Sequence, residues 1–170
     1  MTIQTIFTMS SPYRDDFRIK AYTFGQGEKT MAIVGSMRGD EIQQQYVAAQ
    51  LVRHLAQAER EGKIAQCVSI SVIPSANPFS MNIEKRFWAL DNTDINRMFP
   101  GYSLGETTQR IAAGLFEYIQ EFKYGVQLAS FYLPGNFVPH VRLMDTGTSL
   151  TDISLGKAFG FPYVLSLIHI

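Results

Sequence analysis

The feature that most restricts the fold is a change of hydrophobic period between residues 30 and 73. Residues 30–35, Thr-Met-Ala-Ile-Val-Gly, form an unbroken apolar run of the kind that suits a strand buried on both faces. From Asp40 the period becomes helical. Ile42, Tyr46, Ala49, Val52 and Leu55 fall on one stripe, Gln43, Gln44, Gln50 and Arg53 lie elsewhere, and Gly62 supplies a stop. Residues 67–73, Cys-Val-Ser-Ile-Ser-Val-Ile, read as a second strand ended by Pro74. A strand, helix, strand crossover of this length returns the chain to the same sheet, so the two strands are predicted to be parallel neighbours.

The flanking segments extend this grammar. Residues 2–9 and 17–23 alternate around a break at Ser10, Ser11 and Pro12, which predicts an antiparallel hairpin ahead of the main sheet. Residues 75–104 are rich in Asn, Asp, Pro and Gly with little periodicity; a loop that long is usually either functional or disordered, and Phe87, Trp88 and Phe99 argue for an ordered one, with these rings and Tyr102 expected to anchor it. Ile111, Leu115, Ile119 and Phe122 mark another amphipathic helix, residues 126–132 another strand, and residues 149–159 a short helix stopped by Gly160. The expected fold is therefore α/β: a mostly parallel sheet flanked by helices, preceded by an antiparallel hairpin, with residues 1–170 as one domain. The apolar run 163–170 ends without a polar tail, which reads as the N-terminal part of a longer chain.

Composition narrows the function classes. The 15 Lys and Arg balance the 15 Asp and Glu, so the cationic excess that nucleic-acid and anionic-membrane binders rely on is missing. Neither partner is expected. Cys67 stands alone, which rules out an intrachain disulfide and fits a reducing cytoplasm. No apolar run approaches the ~20 residues of a membrane span.

Several generic motifs fail. Gly25-Gln26-Gly27 lacks the third glycine of a dinucleotide fingerprint and reads as a turn. Ser36 lacks the flanking glycines of a nucleophile elbow, since Val34 and Arg38 hold those positions. His54, His140 and His169 are far apart; His54 lies among apolar neighbours and is expected to be structural.

Three longer matches hold. Residues 34–41, Val-Gly-Ser-Met-Arg-Gly-Asp-Glu, resemble the Gly-x-x-His-Gly-(Asn or Asp)-Glu segment of the succinylglutamate desuccinylase and aspartoacylase family, a branch of the zinc carboxypeptidase clan. Asn77-Pro78, Arg86 and residues 94–101, Asp-Ile-Asn-Arg-Met-Phe-Pro-Gly, resemble the family's Asn-Pro, Arg and Asp-x-Asn-Arg-x-Phe-Pro-Gly sequence in the same order. Residues 125–142 resemble the segment that carries its second zinc histidine.

The resemblance implies a zinc-dependent hydrolase of amide bonds in small N-acyl amino acids. Zinc held by two histidines and a glutamate would activate a water and polarise the amide carbonyl. Arg86, in a catalytic role, and Asn96 with Arg97 would hold the substrate's carboxylate and the developing oxyanion, as planar guanidinium donors do. Glu41 is the one zinc-ligand position retained. Arg38 stands where the first zinc histidine belongs and has no lone pair to donate. The second becomes Gln127 or Ala129, depending on register, and the family's catalytic glutamate falls beyond Ile170. His140 is a remote substitute. Two readings are open: an incomplete zinc hydrolase, or a metal-free pseudoenzyme in which Arg38, Arg86 and Arg97 bind a carboxylated small molecule. With only Glu41 opposing three arginines, the second reading expects a local positive excess. For Arg38 and Glu41 the alternative is an i,i+3 ion pair at a helix start.

Overall fold

The structure, a computed structural model, describes residues 1–11, 14–130, 135–144 and 150–167. The chain forms two compact units, Met1–Ser130 and Phe131–Ile170.

In the first unit, strands β1 (Thr2–Ser11), β2 (Arg14–Phe24), β3 (Glu28–Ser36), β4 (Val68–Ser75) and β5 (Tyr124–Gln127) form one sheet in the order β1-β2-β4-β3-β5. The predicted hairpin is present, and it belongs to the main sheet: β2 pairs antiparallel with both β1 and β4. The predicted parallel neighbours are also present, with Ile33 opposite Val72 and Val34 opposite Ile73. β5 adds a third parallel strand beside β3. It begins two residues earlier than the sequence suggested and ends at Gln127, while residues 131 and 132 of the predicted strand lie outside the described ones.

Alternation along the strands splits the core between two faces. Ile33 and Val72 face one side with Phe24, where helix α1 (Ile42–Arg60) packs through Ala48, Leu51, Val52, Leu55 and Ala56. Val34 and Ile73 face the other, with Phe17, Ile19, Trp88 and Ile95, and are covered by Ile111, Ala112 and Leu115 of the helix Thr107–Ile119. The predicted α1 stripe is corrected here. Ile42 and Tyr46 are 57% and 63% exposed, and Ala49 is exposed too. The helix carries two overlapping apolar stripes, and close contact selects between them: a Cβ on Gly35 would lie 2.8 Å from the Ala48 Cβ, so the smallest residues meet at the crossing. The same rotation leaves His54 exposed, its Nδ1 on the Gln50 carbonyl at 2.8 Å, not among apolar neighbours as expected.

The segment between β4 and the second long helix is ordered by short elements. Helix α2 (Pro78–Asn82) is capped by the Asn77 side chain, which accepts from Ser80 N at 3.1 Å. A single 3-10 turn spans Ile95–Arg97. The Thr107–Ile119 helix is α3. Trp88 is buried against Phe17, with ring centroids 5.0 Å apart, and Phe99 packs on Phe116, so these rings anchor the loop as expected. Tyr102 does not; it is exposed.

The second unit contains β6 (His140–Met144), α4 (Leu150–Ala158) and β7 (Tyr163–Leu167). β6 and β7 are parallel, a strand, helix, strand element of its own. Among the described residues no helix is long and apolar enough to cross a membrane.

Candidate functional site

The site is built at the carboxyl ends of β3, β4 and β5, where open α/β sheets place their ligands. β3 leaves the core at Ser36, whose hydroxyl is fully buried between the Arg38 carbonyl and Ser75 Oγ, both at 3.2 Å. Ser36 therefore ties two strand ends together. The chain then turns through Gly39, whose N–H donates to the Arg86 carbonyl at 3.0 Å. A Cβ at Gly39 would lie 2.2 Å from the Lys85 carbonyl oxygen, so only glycine lets this turn and the loop after α2 approach so closely.

Glu41, immediately before α1, is 0% exposed. Its Oε2 accepts from the backbone N–H groups of Met37 at 2.9 Å and Arg38 at 3.0 Å, and its Oε1 lies 3.5 Å from Arg38 Nη1 and 3.4 Å from Ser130 Oγ. A buried carboxylate is tolerated here because donors surround it and the helix start favours negative charge.

Arg38 turns toward the long loop. Its Nε and Nη2 donate to Asp94 Oδ1 and Oδ2 at 3.1 and 2.8 Å, a two-pronged pair with side-chain exposures of only 17% and 11%. The hydrogen bonds and charge of Asp94, aided by Glu41 and Asp40, outweigh burial and raise the Arg38 pKa above its ordinary value. Burial pushes the Asp94 carboxyl up. The bonds from Arg38 and the Asn96 amide, with the charges of Arg38 and Arg86, overcome it and hold Asp94 below the usual carboxylate range.

Asp94 also organises the turn that it opens. Its Oδ1 accepts from Asn96 N at 3.1 Å, and its carbonyl accepts from Arg97 N at 3.0 Å. Asn96 Oδ1 in turn accepts from Gln127 Nε2 at 3.0 Å, which ties the 3-10 turn to the end of β5. Arg86 Nη1 donates to Asp40 Oδ2 at 2.9 Å. Arg97 is exposed and makes no ion pair or side-chain hydrogen bond among the described residues.

Bonds thus bring Arg38, Glu41, Arg86 and Asn96 into one connected cluster. The expected positive excess is corrected: Asp94 takes Arg38 and Asp40 takes Arg86, so these two guanidinium groups meet three carboxylates. Sequence reasoning missed Asp40 and Asp94 as counter-charges, although both lay inside the quoted motifs, and it named Gln127 only at the position of the second zinc histidine, not as the partner of Asn96. Nothing local marked Ser130.

The donor set does not fit zinc. A guanidinium points from the position of the first expected ligand, Ala129 carries no donor, Gln127 is engaged by Asn96, and both Glu41 oxygens already accept from the protein. Among the described residues no group of three or more His, Cys, Asp or Glu is placed to hold a metal. In the second unit, His140 Nδ1 lies 2.9 Å from the Val138 carbonyl and its Nε2 3.0 Å from Arg142 Nε. Two open depressions, one along Gln50, Arg53, His54 and Gln57 and one at Gly25, Glu59 and Ile64, are lined by other residues.

A mixed sheet with helices on both faces and a charged cluster at three parallel strand ends defines an α/β domain of the carboxypeptidase-like type. Residues 27–129 match the succinylglutamate desuccinylase/aspartoacylase catalytic domain, and the chain belongs to that family. An aspartoacylase family protein of Mesorhizobium loti is 25% identical with a TM-score of 0.73 over 89% of this chain and 48% of its own. A succinylglutamate desuccinylase of a Silicibacter species is 23% identical with a TM-score of 0.75 over 99% of this chain and 52% of its own. The product-bound ectoine utilization protein EutE of Ruegeria pomeroyi has a TM-score of 0.70 at 22% identity, over 91% of this chain and 47% of its own. The chain thus spans about half the length of these solved structures. No curated protein sequence matches it.

Proposed function

We propose that this chain is a metal-independent member of its family that binds a carboxylated small molecule, with Arg97 and Asn96 as the recognition pair and Arg86 nearby. The carrying observation is Arg38. A cation locked on Asp94 and directed at Glu41 occupies the place where the family pattern requires a zinc ligand. Arg97 supports the binding role, because it is the guanidinium of the motif left without a counter-charge among the described residues. A carboxylate can take two parallel N–H bonds from such a group. Arg86 can contribute once its exposed bond with Asp40 exchanges.

Succinate and N-acetylated amino acids are expected to raise the melting temperature, and Arg97→Ala to abolish the shift. Losing that guanidinium should cost about 1.5–3 kcal/mol, roughly ten- to a hundredfold in affinity. No shift with any carboxylate overturns the binding role. A second reading, amide hydrolysis, is favoured by the family match and the retained Glu41. Turnover of an N-acyl amino acid that vanishes in a Glu41→Gln protein shown to be folded by circular dichroism establishes it.

A further inference from the structure

We infer that Arg38 is a positioning residue for the anion site, acting through Asp94, and not a ligand contact. This inference rests on the carboxylate-binding reading for its functional consequence, although its structural part stands alone. Three of the five N–H donors of Arg38 are directed at protein carboxylates, two at Asp94 and one, at 3.5 Å, at Glu41. At 17% exposure little of the guanidinium is left to an incoming anion.

What Arg38 fixes is the segment that carries recognition. The Asp94 side chain receives the fork on both oxygens and still accepts the Asn96 amide, while its carbonyl accepts the Arg97 amide. Asn96 is held from the opposite side by Gln127. The 3-10 turn is thereby pinned between the ends of β3 and β5, with Arg38 as the β3 pin. The anchor of that pin is Glu41, which holds the backbone N–H groups of Met37 and Arg38. A guanidinium is suited to this task because two parallel bonds to a carboxylate set direction as well as distance, whereas an ammonium sets only distance.

The test compares Arg38→Gln, Arg38→Lys and Asp94→Asn in the full chain, with two readouts. Hydrogen exchange without ligand reads the structural part: amides of residues 96–98 should exchange about tenfold faster in each variant, with β3 and β4 unchanged. Unchanged exchange in all three overturns the inference, whatever succinate does. Succinate titration reads the functional part: Arg38→Lys should weaken binding about tenfold, as much as Arg38→Gln, because lysine keeps the charge but loses the fork. If Arg38→Lys keeps wild-type affinity while Arg38→Gln loses it, Arg38 is a direct charge contact and the inference fails. Asp94→Asn, which leaves Arg38 in place, supplies the same comparison should an Arg38 variant fail to fold. Wild-type protein that ignores succinate and N-acetylated amino acids defeats the binding reading, and the exchange data then judge the positioning role alone.

Discussion

Asp94, at the centre of the cluster, has a carboxyl pKa that, against burial, is held low by Arg38 and the Asn96 amide. Its folded pKa lies below the unfolded value, so it contributes stability above the unfolded value and loses that contribution as pH falls through the folded one. The window lies below about pH 4, where a free aspartate begins to take up a proton. Acid unfolding should therefore be steeper in the wild type than in Asp94→Asn, with the two curves converging at the acid end; parallel curves would contradict the coupling to Arg38. Glu41 sets a different expectation. Glu41→Gln keeps one acceptor oxygen for the Met37 and Arg38 amides but leaves Arg38 with less opposing charge and buries an NH2 group that finds few acceptors. Breaking one side of a buried charged pair of this kind costs about 3 kcal/mol or more, readable as a lowered urea midpoint.

At the scale of elements, the loop between β4 and α3 is held by side chains that bond to helix starts. Asp91 accepts from Thr108 N at 2.8 Å and from Thr108 Oγ1 at 2.7 Å, and Thr108 is buried at the beginning of α3. Asp91→Ala would strand a buried hydroxyl and a helix N–H, a loss of about 1–3 kcal/mol that chemical denaturation measures. The close approach at Gly39 yields a sharper element-level expectation. Gly39→Ala must push the turn away from Lys85 and Ser80, so it should cost the Gly39–Arg86 bond and weaken carboxylate binding even where the fold survives. Retained affinity in a folded Gly39→Ala protein would show that the spacing of the two loops is immaterial to the site.

For the molecule as a whole, the question is whether it carries zinc. Purified protein is expected to contain well under one zinc per chain, and chelator should leave the melting temperature unchanged, because the side chains at the expected position include a cation and a methyl group. Near-equimolar zinc in elemental analysis would overturn the metal-independent reading and favour hydrolysis. The sheet itself is a scaffold for either outcome: its parallel strands bring residues far apart in the chain, such as Arg38, Asp94 and Gln127, to one edge.

The parallel β3–β4 pair, the antiparallel hairpin, the three longer helices and the family motifs were all legible in the sequence, because hydrophobic period and turn residues are local properties of the chain; α2 and the 3-10 turn, too short to show a period, were read as loop. The helix α1 face was not. Ile42 and Tyr46 complete as good a stripe as Ala48 and Leu51 do, and only docking at Gly35 chose between them. The motif residues Arg38, Glu41, Arg86, Asn96 and Arg97 could likewise be named from the sequence, but not their pairing. Asp94 against Arg38 and Asp40 against Arg86 close over 56 and 46 residues of chain, distances at which partners are assigned by the way strands stack and not by spacing. An order of residues is enough to specify which elements form; which charges neutralise one another depends on where the sheet sets their ends, and that is decided by packing.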